Sequence, residues 1–195
     1  MLWRQYRRHP KPSNSMKKVI VVTGTPGTGK TTLSQKLAGL LGSCELIKAN
    51  DIVREKKLFT SYDRYGSMIV NMKKLSAEVN RRVAKSKADF VIVEGHLLCD
   101  IKVRGAVAIV IREHLDTLLG RLKERKYARQ KIEDNIVSEG TDYCGVRASG
   151  LYSQVYEVAG GRGALQKMLK IAKGGRVAAK DIDLLEELNG VLKKL

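Results

Sequence analysis

Lys18–Thr23 (KVIVVT) runs apolar and β-branched after its first residue, the pattern of a strand covered on both faces of a parallel sheet. Phe90–Val93 (FVIV) and Val107–Ile111 have the same character, and Glu45–Ala49 is a weaker strand. Between them apolar residues recur at helical spacing. Leu33, Leu37, Leu40 and Leu41 share one face of a helix over Thr31–Leu41, Ser67–Ala84 reads as a second, and Leu115, Leu118, Leu119 and Leu122 mark a third. Strand and helix alternate, which predicts an α/β fold with a parallel central sheet. After Glu139 the pattern degrades, because Gly140, Gly145 and Gly150 punctuate what would otherwise be one helix. Gln154–Val158 is a last strand, and Gly160, Gly161 and Gly163 form a loop. Ala164–Ala172 and Asp181–Leu195 are amphipathic helices, the latter with Asp181 as N-cap and a stripe of Ile182, Leu185, Leu188, Leu192 and Leu195 suited to core contact.

A chain of 195 residues holds about one domain, or one domain with small inserted lobes. With 43% hydrophobic residues it has enough material for a core, which excludes a wholly disordered chain. Lys and Arg number 37 against 20 Asp and Glu, a net charge of +17, and such a surplus points to a polyanionic partner. Residues 1–15 hold four basic residues, no acid and two prolines, and read as a flexible arm; Met16 is an equally good start. Residues 16–177 then form the core, and 178–195 a C-terminal helix packed on it. No apolar run approaches the roughly 18 residues of a membrane span, and no apolar segment follows the basic start as in a secretory signal. Cys44, Cys99 and Cys144 are odd in number and lack a CxxC pair, so reduced thiols in a soluble, cytoplasmic protein are expected.

GTPGTGKTT (Gly24–Thr32) matches the phosphate-loop pattern G-x-x-x-x-G-K-[ST] in full, with a buried strand before it and an amphipathic helix after it. Gly24, Gly27 and Gly29 let the backbone wrap a phosphate with its N–H groups turned inward, and the helix adds its free amides and dipole. Lys30 reaches the β- and γ-phosphates, Thr31 offers a hydroxyl to Mg²⁺, and Thr32 is placed for the α-phosphate. The chain therefore reads as a binder of a nucleoside triphosphate.

A GTPase would add a DxxG switch and an NKxD base reader. DRYG (Asp63–Gly66) fits the first by letter only, since it closes no buried strand, and no NKxD exists. Phe90–Val93 instead leads into Glu94-Gly95-His96, which puts an acid and an imidazole at the carboxyl end of a buried strand, where open α/β sheets bind ligands. Glu94 there suits Mg²⁺ or its water, and His96 suits proton handling near the γ-phosphate. The densest basic cluster, Arg121–Lys131, has six basic residues and one acid. It reads either as a solvated face or as a lid whose arginines neutralise a phosphoryl group in transfer.

Four segments together resemble the adenylate kinase isoenzyme 6 family, whose archaeal and yeast members act in small ribosomal subunit maturation. They are GTPGTGKTT, NDIVREKKLFTSYD (Asn50–Asp63), VIVEGHLLCD (Val91–Asp100) and RLKERKYARQKIEDNI (Arg121–Ile136), in the family's order across roughly Lys18–Glu139. Metabolic adenylate kinases carry an aspartate-glycine-phenylalanine-proline-arginine segment where this chain has EGHLLCD. The resemblance implies a nucleoside monophosphate kinase-like phosphate-loop fold with two insertions, a monophosphate-binding lobe over about 48–72 and a lid over about 124–134. It implies Asp51 and Arg54 beside the acceptor nucleotide, Glu94 and His96 as the pair needed for ATP hydrolysis, Arg125 against the ATP phosphates, and Arg162 on the adenine side. Three departures stand out. Glu94 replaces the family's usual aspartate, Lys126 replaces the glycine after the lid arginine, and glycines interrupt the helix after the lid.

The implied activity is transfer of the ATP γ-phosphate to AMP or another monophosphate, with Mg²⁺ and an accompanying ATPase activity. The implied setting is late small-subunit maturation, with transient binding of a platform ribosomal protein beside immature ribosomal RNA, in the cytoplasm and, in a eukaryote, the nucleus. The charge of +17 suits that setting, because a metabolic kinase needs positive potential only in its cleft. The alternative is a purely metabolic nucleotide kinase or a small-molecule kinase of the shikimate or gluconate type, which shares the phosphate loop without accounting for EGHLLCD.

Overall fold

The computed structural model describes residues 17–177 and 182–195. The basic arm over 1–15 and the Asp181 N-cap lie outside the described residues. Five strands, β1 (Lys18–Thr23), β2 (Cys44–Lys48), β5 (Phe90–Glu94), β6 (Ala106–Arg112) and β7 (Val155–Ala159), form one sheet in the order β2-β5-β1-β6-β7. Every pairing is parallel, so the expected sheet is present. Its alternating side chains feed two separate cores, as the two-residue strand period requires. Val19, Val21, Val91, Val93, Ala108 and Val110 enter one core, shared with helices α2 (Ala49–Glu55), α3 (Met72–Lys85) and α6 (Tyr143–Ser149). Ile20, Val22, Ile92, Ile109, Ile111 and Val158 enter the other, beneath α1 (Lys30–Leu40) and α7 (Ala164–Ala172). With both faces covered, the uniformly apolar strand sequences are explained.

A third cluster stands apart from the sheet. Helices α4 (Leu115–Glu124), α5 (Arg129–Gly140) and α8 (Leu185–Leu192) join through Leu115, Leu118, Leu122, Ile136, Leu188 and Val191. The C-terminal helix thus packs on α4 and α5, the helices on either side of the segment expected to be a lid. It is shorter than the stripe suggested, with its first turn at Leu185 and two acids, Glu186 and Glu187, against its N-terminal dipole.

One sequence expectation here needs correction. The helix expected over Ser67–Ala84 begins only at Met72, where Asn71 caps it by accepting from Lys74 N at 3.0 Å. Before it lies an antiparallel hairpin, β3 (Phe59–Tyr62) and β4 (Met68–Val70). The DRYG segment is the tip of that hairpin: Asp63 Oδ1 accepts from Tyr65 N and Ser67 N, both at 2.8 Å, so its carboxylate is consumed by the turn. Helix α5 ends at Gly140 and α6 begins at Tyr143, the two divided at Asp142, which takes a left-handed φ of +53° and caps α6 through Gly145 N.

Candidate active site

The phosphate loop leaves the end of β1, the central strand, and passes directly into α1. Gly24 is at φ +136°, and a Cβ there would lie 2.4 Å from the Ile111 carbonyl oxygen of β6, so the loop can leave the sheet this tightly only on glycine. Gly29 precedes α1 in a left-handed conformation with no side-chain cap, leaving the first-turn amides beside Lys30, Thr31 and Thr32 to face an anion. The Lys30 Nζ, 6% exposed, donates to the Thr25 carbonyl at 2.8 Å. Burial lowers its pKa to about 8 despite the opposing charge of Glu94, and bound phosphates would return that charge a partner.

Glu94 is the last residue of β5, in register with Val22 on one side and Lys48 on the other. It is 7% exposed, and its carboxylate has no hydrogen-bond or ion-pair partner among the described residues. His96 follows at the start of a 3-10 turn, His96–Cys99, whose first carbonyl accepts from Thr23 Oγ1 and Cys99 Sγ, both at 3.2 Å. Burial, reinforced by the Lys30 charge, lowers the imidazole to about 4, which favours its neutral form.

A cavity of about 920 Å³ opens over these groups. Gly27, Gly29, Lys30, Thr31 and Thr32 form its floor, with Glu94 and His96 on one side. Arg54 faces it from α2, together with Asn50 and Lys57. Arg125, the residue closing α4, and Tyr127 and Lys131 reach it from the lid. The lid and the hairpin meet across it, where Lys131 Nζ donates to Ser67 Oγ at 2.6 Å. Lys126, at the position where the resemblance led us to expect glycine, sits at φ +55°, a left-handed conformation that glycine adopts more easily than lysine.

Of the residues singled out from sequence, Asp51 and Arg162 are not in the cavity lining. Asp51 is exposed in the first turn of α2, and Arg162 is exposed in the loop between β7 and α7. Gly24 shapes the loop from below without lining the cavity. Sequence reasoning missed Arg121, whose Nη1 donates to the Gly27 carbonyl at 3.2 Å and to Glu113 Oε2 at 2.8 Å, anchoring the lid helix to the phosphate loop. The available signal was Glu113, an acid two residues past the third apolar run.

The donor set fits a magnesium nucleotide. Thr31 presents a hydroxyl at the mouth of α1, and Glu94 presents a buried carboxylate without a protein partner at the same cavity, the hard oxygen ligands Mg²⁺ takes together with phosphate oxygens. Among the described residues no group of three or more His, Cys, Asp and Glu is placed to hold a metal ion. No helix among them is long and apolar enough to cross a membrane.

Residues 20–142 match the AAA domain family, a span running from β1 through the lid. A protein of Pyrococcus furiosus named "Putative adenylate kinase" is 34% identical over 144 residues, 72% of this chain and 73% of its own length. A namesake in Thermococcus gammatolerans is 35% identical over 144 residues, 72% and 75% of the two chains. Another in Methanosarcina mazei is 29% identical over 192 residues, 89% and 96%. Among solved structures, the shikimate kinase of Acinetobacter baumannii in complex with shikimate superposes with a TM-score of 0.56 at 18% identity, covering 84% of this chain and 97% of that one. The shikimate kinase of Bacteroides thetaiotaomicron gives 0.54 at 19% identity, covering 80% and 96%. At such identities the structural likeness speaks for the fold alone, that of a phosphate-loop kinase. The sequence relatives carry the kinship further, in agreement with the isoenzyme 6 resemblance, and the chain belongs to the AAA domain family and to the family of these putative adenylate kinases.

Proposed function

We propose that the protein transfers the γ-phosphate of ATP to AMP or another nucleoside monophosphate, with Mg²⁺, and also hydrolyses ATP. The observation carrying this reading is that one cavity is lined both by the complete phosphate loop and by Arg54 of the α2 lobe. A donor triphosphate on the loop and an acceptor phosphate held by Arg54 would then share one enclosure, as in-line transfer needs. Lys30 and Arg125 stabilise charge on the phosphoryl group between them, and the lid held by the Lys131–Ser67 bond keeps water out. Mg²⁺, held by Thr31 and, directly or through water, by Glu94, would supply charge neutralisation on the phosphate oxygens. Asp51 and Arg162, outside the cavity lining, would act only after the lobe or the adenine-side loop closes on a nucleotide.

A second reading adds work on a ribonucleoprotein. The charge of +17 exceeds what the cleft uses, and His96 is held neutral beside Lys30, where it can accept a proton from an attacking water when no monophosphate is present. Under this reading the ATPase cycle serves late maturation of the small ribosomal subunit through transient binding of a platform ribosomal protein next to immature ribosomal RNA, in the cytoplasm, and also the nucleus in a eukaryote. The test is nucleotide turnover by purified protein with and without AMP, and with and without that ribosomal protein. ADP formed only with AMP, two per ATP consumed, supports the kinase. Hydrolysis without AMP that responds to the ribosomal protein supports the second reading. Absence of both, despite ATP binding, overturns the proposal.

A further inference from the structure

A second depression shares no residue with the lining of the nucleotide cavity. It is a groove of about 1180 Å³ between α3 and segment 100–104, the stretch that follows the 3-10 turn and leads into β6. Five cations line it. Lys73 and Arg81 belong to the α3 wall, Lys102 and Arg104 to the other, and Lys17 sits where α3 ends. Asp100 is the one acid in the lining, and its Oδ1 is already taken by Tyr143 Oη at 3.1 Å and Arg147 Nε at 2.7 Å. Of the five cations only Arg81 has a carboxylate partner among the described residues, Glu78 at 2.6 Å. Lys17 Nζ donates to the carbonyls of Val83 at 2.8 Å and Ala84 at 3.3 Å, and Lys102 Nζ to that of Leu151, so both amines are held in place with their charge uncompensated. Lys73 and Arg104 are exposed. Asn80 of α3 pins the two walls together: its Nδ2 donates to the Lys102 carbonyl at 2.9 Å, and its Oδ1 accepts from Arg104 N at 2.9 Å. The groove is therefore built before any ligand arrives, which lowers the cost of binding one.

We propose that this groove binds the phosphodiester backbone of a single-stranded RNA without reading its sequence. Lys73 and Arg81 are eight residues apart on one helix, about 12 Å along its axis. That length spans about three phosphates of a stacked strand, which carries one every ~3.4 Å. No aromatic side chain lines the groove, so bases find no stacking platform there. What the groove offers is positive charge on both walls, with apolar atoms of Met72, Val83 and Ile101 between them. A nucleic-acid strand is charged at every residue and meets both walls in any register, whereas a peptide would need an acidic run matched to them. That the strand is RNA rests on the ribonucleoprotein reading above; that the groove takes a polyanionic strand rests on its own charges.

The test follows the fluorescence anisotropy of a labelled oligouridylate titrated with full-length protein at several salt concentrations. The parent should bind with an affinity that falls steeply as salt rises, and an oligocytidylate should bind alike. Lys73→Gln combined with Arg104→Gln, both exposed and outside the nucleotide cavity, should weaken binding about tenfold or more at low salt. The slope of log affinity against log salt should shrink by about 1.4, each lost cation contributing about 0.7. ATP affinity should stay that of the parent, which also shows that the variant is folded, and Lys73→Arg with Arg104→Lys should retain RNA binding. A parent that does not bind the RNA, or a glutamine variant that binds it equally well, overturns the groove. A glutamate peptide of equal length bound more tightly than the RNA overturns the choice of occupant in favour of an acidic protein segment. RNA held by the groove while the ribosomal protein leaves ATP hydrolysis unchanged refutes the ribonucleoprotein reading and leaves the groove standing.

Discussion

Replacing Arg112 with methionine removes the hub of a buried charge network. Arg112 is the last residue of β6 and 2% exposed. Its Nε donates to Glu139 Oε1 at 3.0 Å, its Nη2 to the Glu139 carbonyl at 3.0 Å, and its Nη1 to Asp142 at 2.6 Å and Glu157 at 2.9 Å. Methionine fills much of the volume, yet leaves Glu139, 1% exposed, without its counter-ion. Removing one partner of a buried pair costs about 3–5 kcal/mol. For a chain of this size that lowers the melting temperature by roughly 6–20 °C. Adding Glu139→Gln should return much of the loss, because the amide oxygen can still accept from Glu113 N, which lies 3.0 Å from Oε1. The deficit should also depend on pH. Burial, with Asp142 adding to it, raises Glu157 to about 7, above its unfolded value of 4.5, so its folded form takes up protons first. Its contribution to stability is present below pH 4.5 and is lost as the pH rises through about 7; the Arg112→Met deficit should therefore shrink on acidification from pH 8 to 5. Urea unfolding of the two single variants and the double variant at both pH values reads all of this. A loss under about 1 kcal/mol, or a double variant no better than the sum of the singles, would refute the reasoning.

Lys30→Ala should abolish turnover and weaken ATP binding by about 10²-fold or more, as titration calorimetry would show. His96→Ala should lower hydrolysis by about 10²–10⁴-fold while leaving ATP affinity near that of the parent; equal loss of affinity in the Lys30 and His96 variants would remove the role given to His96. Gly24→Ala should cost about 1–3 kcal/mol, from the 2.4 Å approach to the Ile111 carbonyl and the +136° φ, and should impair ATP binding with it, measured by thermal unfolding with and without nucleotide.

What the sequence disclosed follows from how many residues each feature needs. β1, β5 and β6 are buried on both faces, so each position alone carries the signal, and the phosphate loop is contiguous. The hairpin β3–β4 escaped because its residues are mostly exposed, with Thr60, Ser61, Tyr62 and Ile69 open to solvent and no alternation to read. Helix α2, seven residues long, is too short for a helical period to emerge. The Arg112 hub was invisible because the third apolar run seemed to end at Ile111, whereas the strand continues one residue further and buries the guanidinium against acids from α5, α6 and β7. Arg54, Glu94, His96 and Arg125, found by motif and resemblance, do line one cavity with the phosphate loop.

Calorimetric titration of AMP into protein saturated with a non-hydrolysable ATP analogue and Mg²⁺ tests most directly the proposal that one cavity holds two nucleotides. One AMP should bind per chain, and Arg54→Ala should abolish that binding while leaving the affinity for the analogue unchanged. AMP that fails to bind, or that binds the Arg54 variant as well as the parent, would contradict a shared enclosure for donor and acceptor.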